Sequence, residues 1–81
     1  MKPIRLKVLS PERDLLDREV EQVELPGLAG RFVILPDHAP IISALGPGVI
    51  RYRVGGQEET IALSSGFVRV QDNVVTVCVE L

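Results

Sequence analysis

Cysteine, histidine and aromatic side chains are all scarce in these 81 residues, and each shortage removes a class of function. Cys78 is the single cysteine, so no internal disulfide can staple the chain. His38 is the single histidine, and the paired Cys/His spacings of a zinc site are missing. The aromatics are Phe32, Tyr52 and Phe67, with no tryptophan. Nine basic against eleven acidic residues leave a formal charge of −2. A nucleic-acid surface normally combines a basic excess with aromatic platforms, and this chain offers neither. No apolar run approaches the roughly 20 residues that span a bilayer. Met1-Lys2-Pro3 does not open a secretion signal, because Arg5 and Lys7 break up the apolar stretch that would follow. Composition therefore points to a soluble, globular, cytosolic chain, and a lone thiol suits a reducing compartment. The length suggests one domain over residues 1–81 with a thin core, since a chain this short buries only roughly 60–65% of its unfolded surface. With disulfide and metal unavailable, association with a partner is the remaining source of extra stability.

What the chain does contain is a succession of short apolar segments. Ile4, Leu6 and Val8 alternate with Arg5 and Lys7, the period of a half-buried strand, and Ser10-Pro11 closes it. Glu12–Val23 carries seven charges within ten residues, with Leu16, Val20 and Val23 spaced four and three apart. That spacing suits a helix capped by Ser10 with Pro11 at its first position. Two strands, around Leu15–Glu19 and Gln22–Leu25 with a bulge near Val20, are the rival. Further on, Pro26-Gly27 and Gly30 bracket a turn, and Arg31–Leu35 suits a buried strand. Pro36-Asp37-His38-Ala39-Pro40 is a rigid loop, because its prolines fix φ and remove donors. Ile41–Leu45 ends at Gly46-Pro47-Gly48. Val49–Val54 alternates and reverses through Gly55-Gly56, a two-residue hairpin turn, into Glu58–Leu63. Ser64-Ser65-Gly66 turns into Phe67–Val70, and Asp72-Asn73 is a second hairpin turn into Val74–Val79. Short strands with glycine and proline corners give an all-β sandwich or barrel. The Leu28–Ile42 stretch, rich in Phe32, Val33, Ile34, Leu35, Ile41 and Ile42, is either core or docking surface.

No set of residues converges on an active site. His38 beside Asp37 reads as a turn residue in a proline-framed loop, with Asp37 bonding nearby backbone amides. Ser64 and Ser65 read as corner residues with no base to activate them. Cys78, between Val77 and Val79, reads as an inert packing residue, and Glu58-Glu59 as the solvated start of a strand. Gly27 and Gly30 lack the Lys-Ser/Thr pair of a phosphate loop. Catalytic, cofactor and metal residues are accordingly expected to be none.

Several segments in order resemble a known family. Val23-Glu24-Leu25-Pro26-Gly27, Gly30, and Ile34-Leu35-Pro36-Asp37-His38-Ala39-Pro40 are similar to the N-terminal domain of F-type ATP synthase ε subunits (δ in mitochondria). So are Leu45-Gly46-Pro47-Gly48-Val49-Ile50-Arg51, Ser64-Ser65-Gly66-Phe67-Val68-Arg69-Val70 and Asp72-Asn73-Val74-Val75-Thr76-Val77. The resemblance spans nearly the whole chain and implies an all-β sandwich of about ten strands, with Glu12–Leu25 as strands.

It also implies a non-catalytic part of the central stalk of a proton- or sodium-driven rotary enzyme. Such a domain packs on the γ subunit, rests on the polar loops of the c-ring and reaches the catalytic head only indirectly. The implied location is the cytoplasmic face of a bacterial inner membrane, with the mitochondrial matrix or chloroplast stroma as lesser alternatives. The interaction residues it singles out are Gly27, Gly30, Arg31, Phe32, Pro36, Asp37, His38, Ala39 and Pro40, with Arg31 and His38 nearest the ring. Arg31 stands where relatives often carry an acid, and Val33 and Asp37 stand where glycines are common. The chain stops at Leu81, before the helical hairpin with which most members continue, so neither an ATP site nor hairpin-type inhibition is expected of it. Two other readings are a stand-alone β-sandwich binding module, which would want an aromatic platform, and a small hydrolase, which would want a nucleophile–base pair.

Overall fold

A computed structural model describes residues 3–81; Met1 and Lys2, the start of the segment judged unlike a secretion signal, lie outside them. Nine strands follow in order: β1 (Ile4–Leu9), β2 (Asp14–Val20), β3 (Gln22–Gly27), β4 (Gly30–Ile34), β5 (Ile41–Leu45), β6 (Gly48–Val54), β7 (Gln57–Leu63), β8 (Ser65–Gln71) and β9 (Val74–Glu80). The family resemblance implied about ten. The stretch between β4 and β5 adds none, since Pro36 and Pro40 offer no N–H to a ladder.

Hydrogen bonding runs β2-β1-β9-β8-β5-β3-β6-β7, with β4 on the other side of β3. The β5–β3 link is a single residue pair, Gly27 with Leu45, so the sheet folds there into two layers. One layer is β2-β1-β9-β8-β5 and the other β4-β3-β6-β7. Between them lies one aliphatic core that includes Ile4, Leu6, Val8, Val23, Leu25, Ile50, Val68, Val75 and Val77, each with no exposed surface. Fully burying such a side chain stabilises by roughly 1.5–3 kcal/mol, which makes this the main source of stability.

Glu12–Val23 is strand and not helix. Its helical spacing arises from an edge strand interrupted by a bulge: Val8 faces Leu16 and Leu9 faces Asp14, leaving Leu15 as the extra residue. Leu15 and Leu16 therefore both pack against the core despite being consecutive. Arg18 faces Leu6 at the open edge yet stays exposed, so the alternation the sequence would need is missing. The irregularity expected near Val20 thus falls at Leu15, and the break at Glu21 is where the chain crosses between layers. Ser10 caps no helix. Its hydroxyl accepts from the Arg13 amide at 3.2 Å and donates to the Arg13 carbonyl at 2.9 Å, closing a tight loop.

Both hairpin turns have the expected form. Gly55 (φ 58°) and Gly56 (φ 79°) share the positive φ that a two-residue hairpin needs, as do Asp72 (φ 52°) and Asn73 (φ 64°).

Candidate functional site

The residues singled out in the sequence fall at opposite ends of the sandwich. Gly27 and Gly30 face each other across the β3–β4 turn. Gly46-Pro47-Gly48 packs beside them, its Gly46 amide bonded to the Pro26 carbonyl at 2.8 Å. Pro36, Asp37, His38, Ala39 and Pro40 lie beyond the far end of β4, against the Asp72-Asn73 turn. Six residues of extended chain, at about 3.3 Å each, put roughly 20 Å between the ends. Arg31 and His38 are thus set apart along the length of β4.

At the first end, Gly27 is small for a reason. A Cβ there would come within 2.9 Å of the Phe32 ring and 2.7 Å of the Gly30 carbonyl oxygen. Phe32 is half-buried against the core, so it supports the turn from beneath. Leu28 at the tip is 72% exposed. Arg31 is held against the outer face of the sheet: its Nε pairs with Glu24 Oε1 at 2.5 Å and its Nη2 donates to the Val49 carbonyl at 3.0 Å. Arg51 approaches the same carboxylate at 3.7 Å. The hydrogen bond from Arg31, aided by both positive charges, holds the Glu24 carboxyl below its ordinary pKa against the opposing effect of partial burial. Val33 occupies extended strand opposite Glu24, so a residue that disfavours positive φ fits there without strain.

At the second end, the His38 amide donates to the Leu35 carbonyl at 3.2 Å, closing a turn over Pro36 and Asp37. Proline second and a positive φ third (Asp37, 64°) is the arrangement of a type II turn. Asp37 does not bond nearby backbone amides as expected. Its carboxylate accepts from Asn73 Nδ2 at 3.0 Å, and its own amide donates to Asn73 Oδ1 at 2.6 Å. The His38 Nδ1 lies 2.8 Å from the Ala39 carbonyl oxygen, in reach as a donor when that nitrogen carries the proton. Pro3, Arg5, Asp37, His38, Asp72 and Asn73 border an open cleft of 530 Å³.

A third feature was missed in the sequence. On the outer surface of the first layer, Leu9 pairs with Cys78, Cys78 with Phe67, and Phe67 with Ala44. These four side chains form a band across four strands, extended by Ile42 two residues along β5. Phe67 is 55% exposed and Ile42 77%. Beside the band, Leu9, Pro11, Phe67 and Cys78 line a shallow groove of 510 Å³. Cys78 is accordingly half-buried on the outside rather than a core residue. The signal was legible: Phe67 shares parity with exposed Arg69, opposite Val68 and Val70. The Leu28–Ile42 stretch divides between roles, with Ile34 in the core and Leu28, Val33, Leu35 and Ile42 exposed. The outer face of the second layer is polar instead, with Arg31–Glu24–Arg51 and an Arg53–Glu58 pair at 3.5 Å.

Among the described residues no three His, Cys, Asp or Glu side chains gather as a metal site would require, and no helix is long and apolar enough to cross a membrane. Against known proteins, the family described as the ATP synthase delta/epsilon chain β-sandwich domain matches residues 3–81. The chain belongs to that family. It is 53% identical over 75 residues to the ATP synthase epsilon chain of Desulfitobacterium hafniense, covering 93% of this chain and 57% of that one. It is 43% identical over 79 residues to the epsilon chain of Nitratidesulfovibrio vulgaris, covering 98% and 59%. The chain thus spans somewhat more than half the length of these relatives. Its fold superposes on a chain of the Euglena gracilis mitochondrial ATP synthase OSCP/F1/c-ring structure with a TM-score of 0.90 at 24% identity, covering 95% of this chain and 50% of that one. A chain of the Tetrahymena thermophila mitochondrial ATP synthase central stalk/c-ring structure gives 0.82 at 17% identity, covering 99% and 65%.

Proposed function

We propose that this domain is a non-catalytic coupling element of the central stalk in a proton- or sodium-driven rotary ATP synthase, joining the γ subunit to the c-ring. The observation that carries the reading is the apolar band Leu9–Cys78–Phe67–Ala44 with Ile42. An exposed aliphatic and aromatic strip across a flat sheet loses free energy in water and regains it on a complementary protein face. The band is therefore assigned to γ, and the charged outer face of the second layer to solvent.

The Gly27–Arg31 turn, with Leu28 at its tip, is assigned to the polar loops of the c-ring. Arg31 already shares its charge with Glu24, so it presents the ring with a nearly neutral pair. The Pro36–Pro40 loop, at the opposite end, is assigned to γ together with the band. A rigid sandwich roughly 20 Å between these ends holds its two partners at a fixed separation, as transmission of torque needs. The catalytic head is reached only through γ. By the same reading the domain sits at the cytoplasmic face of a bacterial inner membrane by way of the complex.

The test is calorimetric titration with γ from the same organism. Saturable one-to-one binding is expected, weakened more than about tenfold by Phe67→Asp, because a buried aromatic anchor dominates such an interface. Absence of binding by the folded wild-type chain at tens of micromolar would remove the γ assignment. Arg31→Glu, which sets a second carboxylate against Glu24, is expected to weaken coupling in ATP-driven proton pumping while leaving γ binding intact. Unchanged pumping would remove the ring assignment.

A further inference from the structure

Asn73 sits 36 positions from Asp37 in the chain, yet its side-chain amide uses both ends on that one residue. Its Oδ1 accepts from the Asp37 backbone amide at 2.6 Å, and its Nδ2 donates to Asp37 Oδ1 at 3.0 Å. Its backbone carbonyl accepts from the Arg5 amide at 2.8 Å, which anchors it to the start of β1. Asp37 needs that support. It holds φ at 64°, a left-handed value that side chains with a Cβ disfavour, and it does so in a loop with no ladder on either side. Asn73 also has a left-handed φ of 64°, which aims its side chain out of the β8–β9 turn.

We infer that Asn73 is a positioning residue for the Pro36–Pro40 loop: it clasps Asp37 and so sets the face that His38, Ala39 and Pro40 present. The inference rests on the reading that this loop meets the γ subunit. The rigidity of the loop is thus divided between two prolines that restrict φ locally and one distant amide that fixes the loop relative to the sandwich. Without the clasp the prolines remain, but the loop is free to swing about Leu35 and Ile41.

The charge logic of the pair supplies the test. Asn73→Asp sets two carboxylates face to face, and adding Asp37→Asn restores a donor and an acceptor with the roles exchanged. In amide hydrogen exchange on the whole chain, Asn73→Asp is expected to speed exchange at Asp37 and His38 about tenfold, with the β8 and β9 amides unchanged, since the Nδ2 bond to Asp37 Oδ1 gives way to a carboxylate repulsion that pushes the loop off its one remaining acceptor. Asp37→Asn/Asn73→Asp is expected to return it to the wild-type rate. Asn73→Gly keeps the hairpin, because glycine favours positive φ, and, losing both side-chain bonds, is expected to speed exchange in the loop at least as much as Asn73→Asp. Wild-type exchange at Asp37 in both Asn73 single variants would overturn the clasp.

Calorimetric titration with γ then separates the clasp from the stalk assignment. If wild type binds, Asn73→Asp is expected to bind about tenfold more weakly and the double variant to recover. Equal affinity of all three would overturn the positioning role. If wild type does not bind, the stalk reading fails and the clasp stands or falls by exchange alone.

Discussion

Gly66 lies where β8 leaves the Ser64 corner, and a Cβ built on it would run into the backbone carbonyl of Cys78 on β9. Backbone atoms in a ladder yield little, so Gly66→Ala is expected to destabilise by about 2 kcal/mol, the usual scale of overpacking, in thermal or urea unfolding. A loss under half of that would mean that β9 shifts to make room. Glu24 governs the other layer through charge. Its carboxyl titrates below the ordinary value because Arg31 donates to it and Arg51 stands nearby. A depressed folded value means that the contribution is complete above the unfolded carboxylate range and is lost as pH falls through the folded value. Glu24→Gln is therefore expected to melt below wild type at neutral pH, and the gap to close on acidification as wild-type Glu24 takes up a proton. A gap that stays constant down to acid pH would show that Glu24 acts by shape rather than by charge. The role of Glu24 was not legible in the sequence, because the arginines that flank it lie 7 and 27 positions away and meet it only through strand register.

At the scale of elements, the segments with clean alternation were legible, and those at an open edge were not. β1, β6 and β9 each place their buried apolar residues on one parity, so period two marked them directly. β2 buries only Val20 fully, carries an inward-placed Arg18 and is bulged at Leu15, and those features protect an unpaired edge from association with another sheet. They are also what made it resemble a helix. The hairpin turns were legible because their chemistry is local, whereas the Asp37–Asn73 clasp joins two separate loops and leaves no local trace. Turn chemistry offers a stabilising change. Gly55 has a φ of 58°, and a Cβ added there would meet nothing within 4 Å, so asparagine fits and makes the favoured Asn-Gly pair. Gly55→Asn is expected to stabilise by about 0.5 kcal/mol, mainly by restricting the unfolded chain, and a lower melting temperature would count against that turn geometry.

For the molecule as a whole, the sandwich class was legible from strand number and spacing, but the closure that unites it was not. β1 and β9, the first and last strands, pair in parallel from Arg5 with Val74 to Leu9 with Cys78. No turn signal announces such a pairing, since parallel neighbours need a long connection and here nearly the entire chain supplies it. β9 sits between β1 and β8, so its absence leaves two unpaired edges inside one layer. It also carries Val75, Val77 and Val79, exposed by 0%, 0% and 3%. At roughly 1.5–3 kcal/mol for each buried side chain, those three alone approach the 5–15 kcal/mol net stability of an ordinary domain, before the lost backbone bonds are counted. A chain ending at Asp72 is therefore expected to show no cooperative unfolding transition, while Val77→Ala in the full chain keeps a single transition weakened by about 2 kcal/mol. Because the closing contact spans the whole sequence, refolding of the full chain is expected on the millisecond-to-second scale of non-local β proteins. A sigmoidal melt from the shortened chain would show that the remaining eight strands hold a core without the parallel closure, and β9 would then be an addition to the sandwich rather than the strand that completes it.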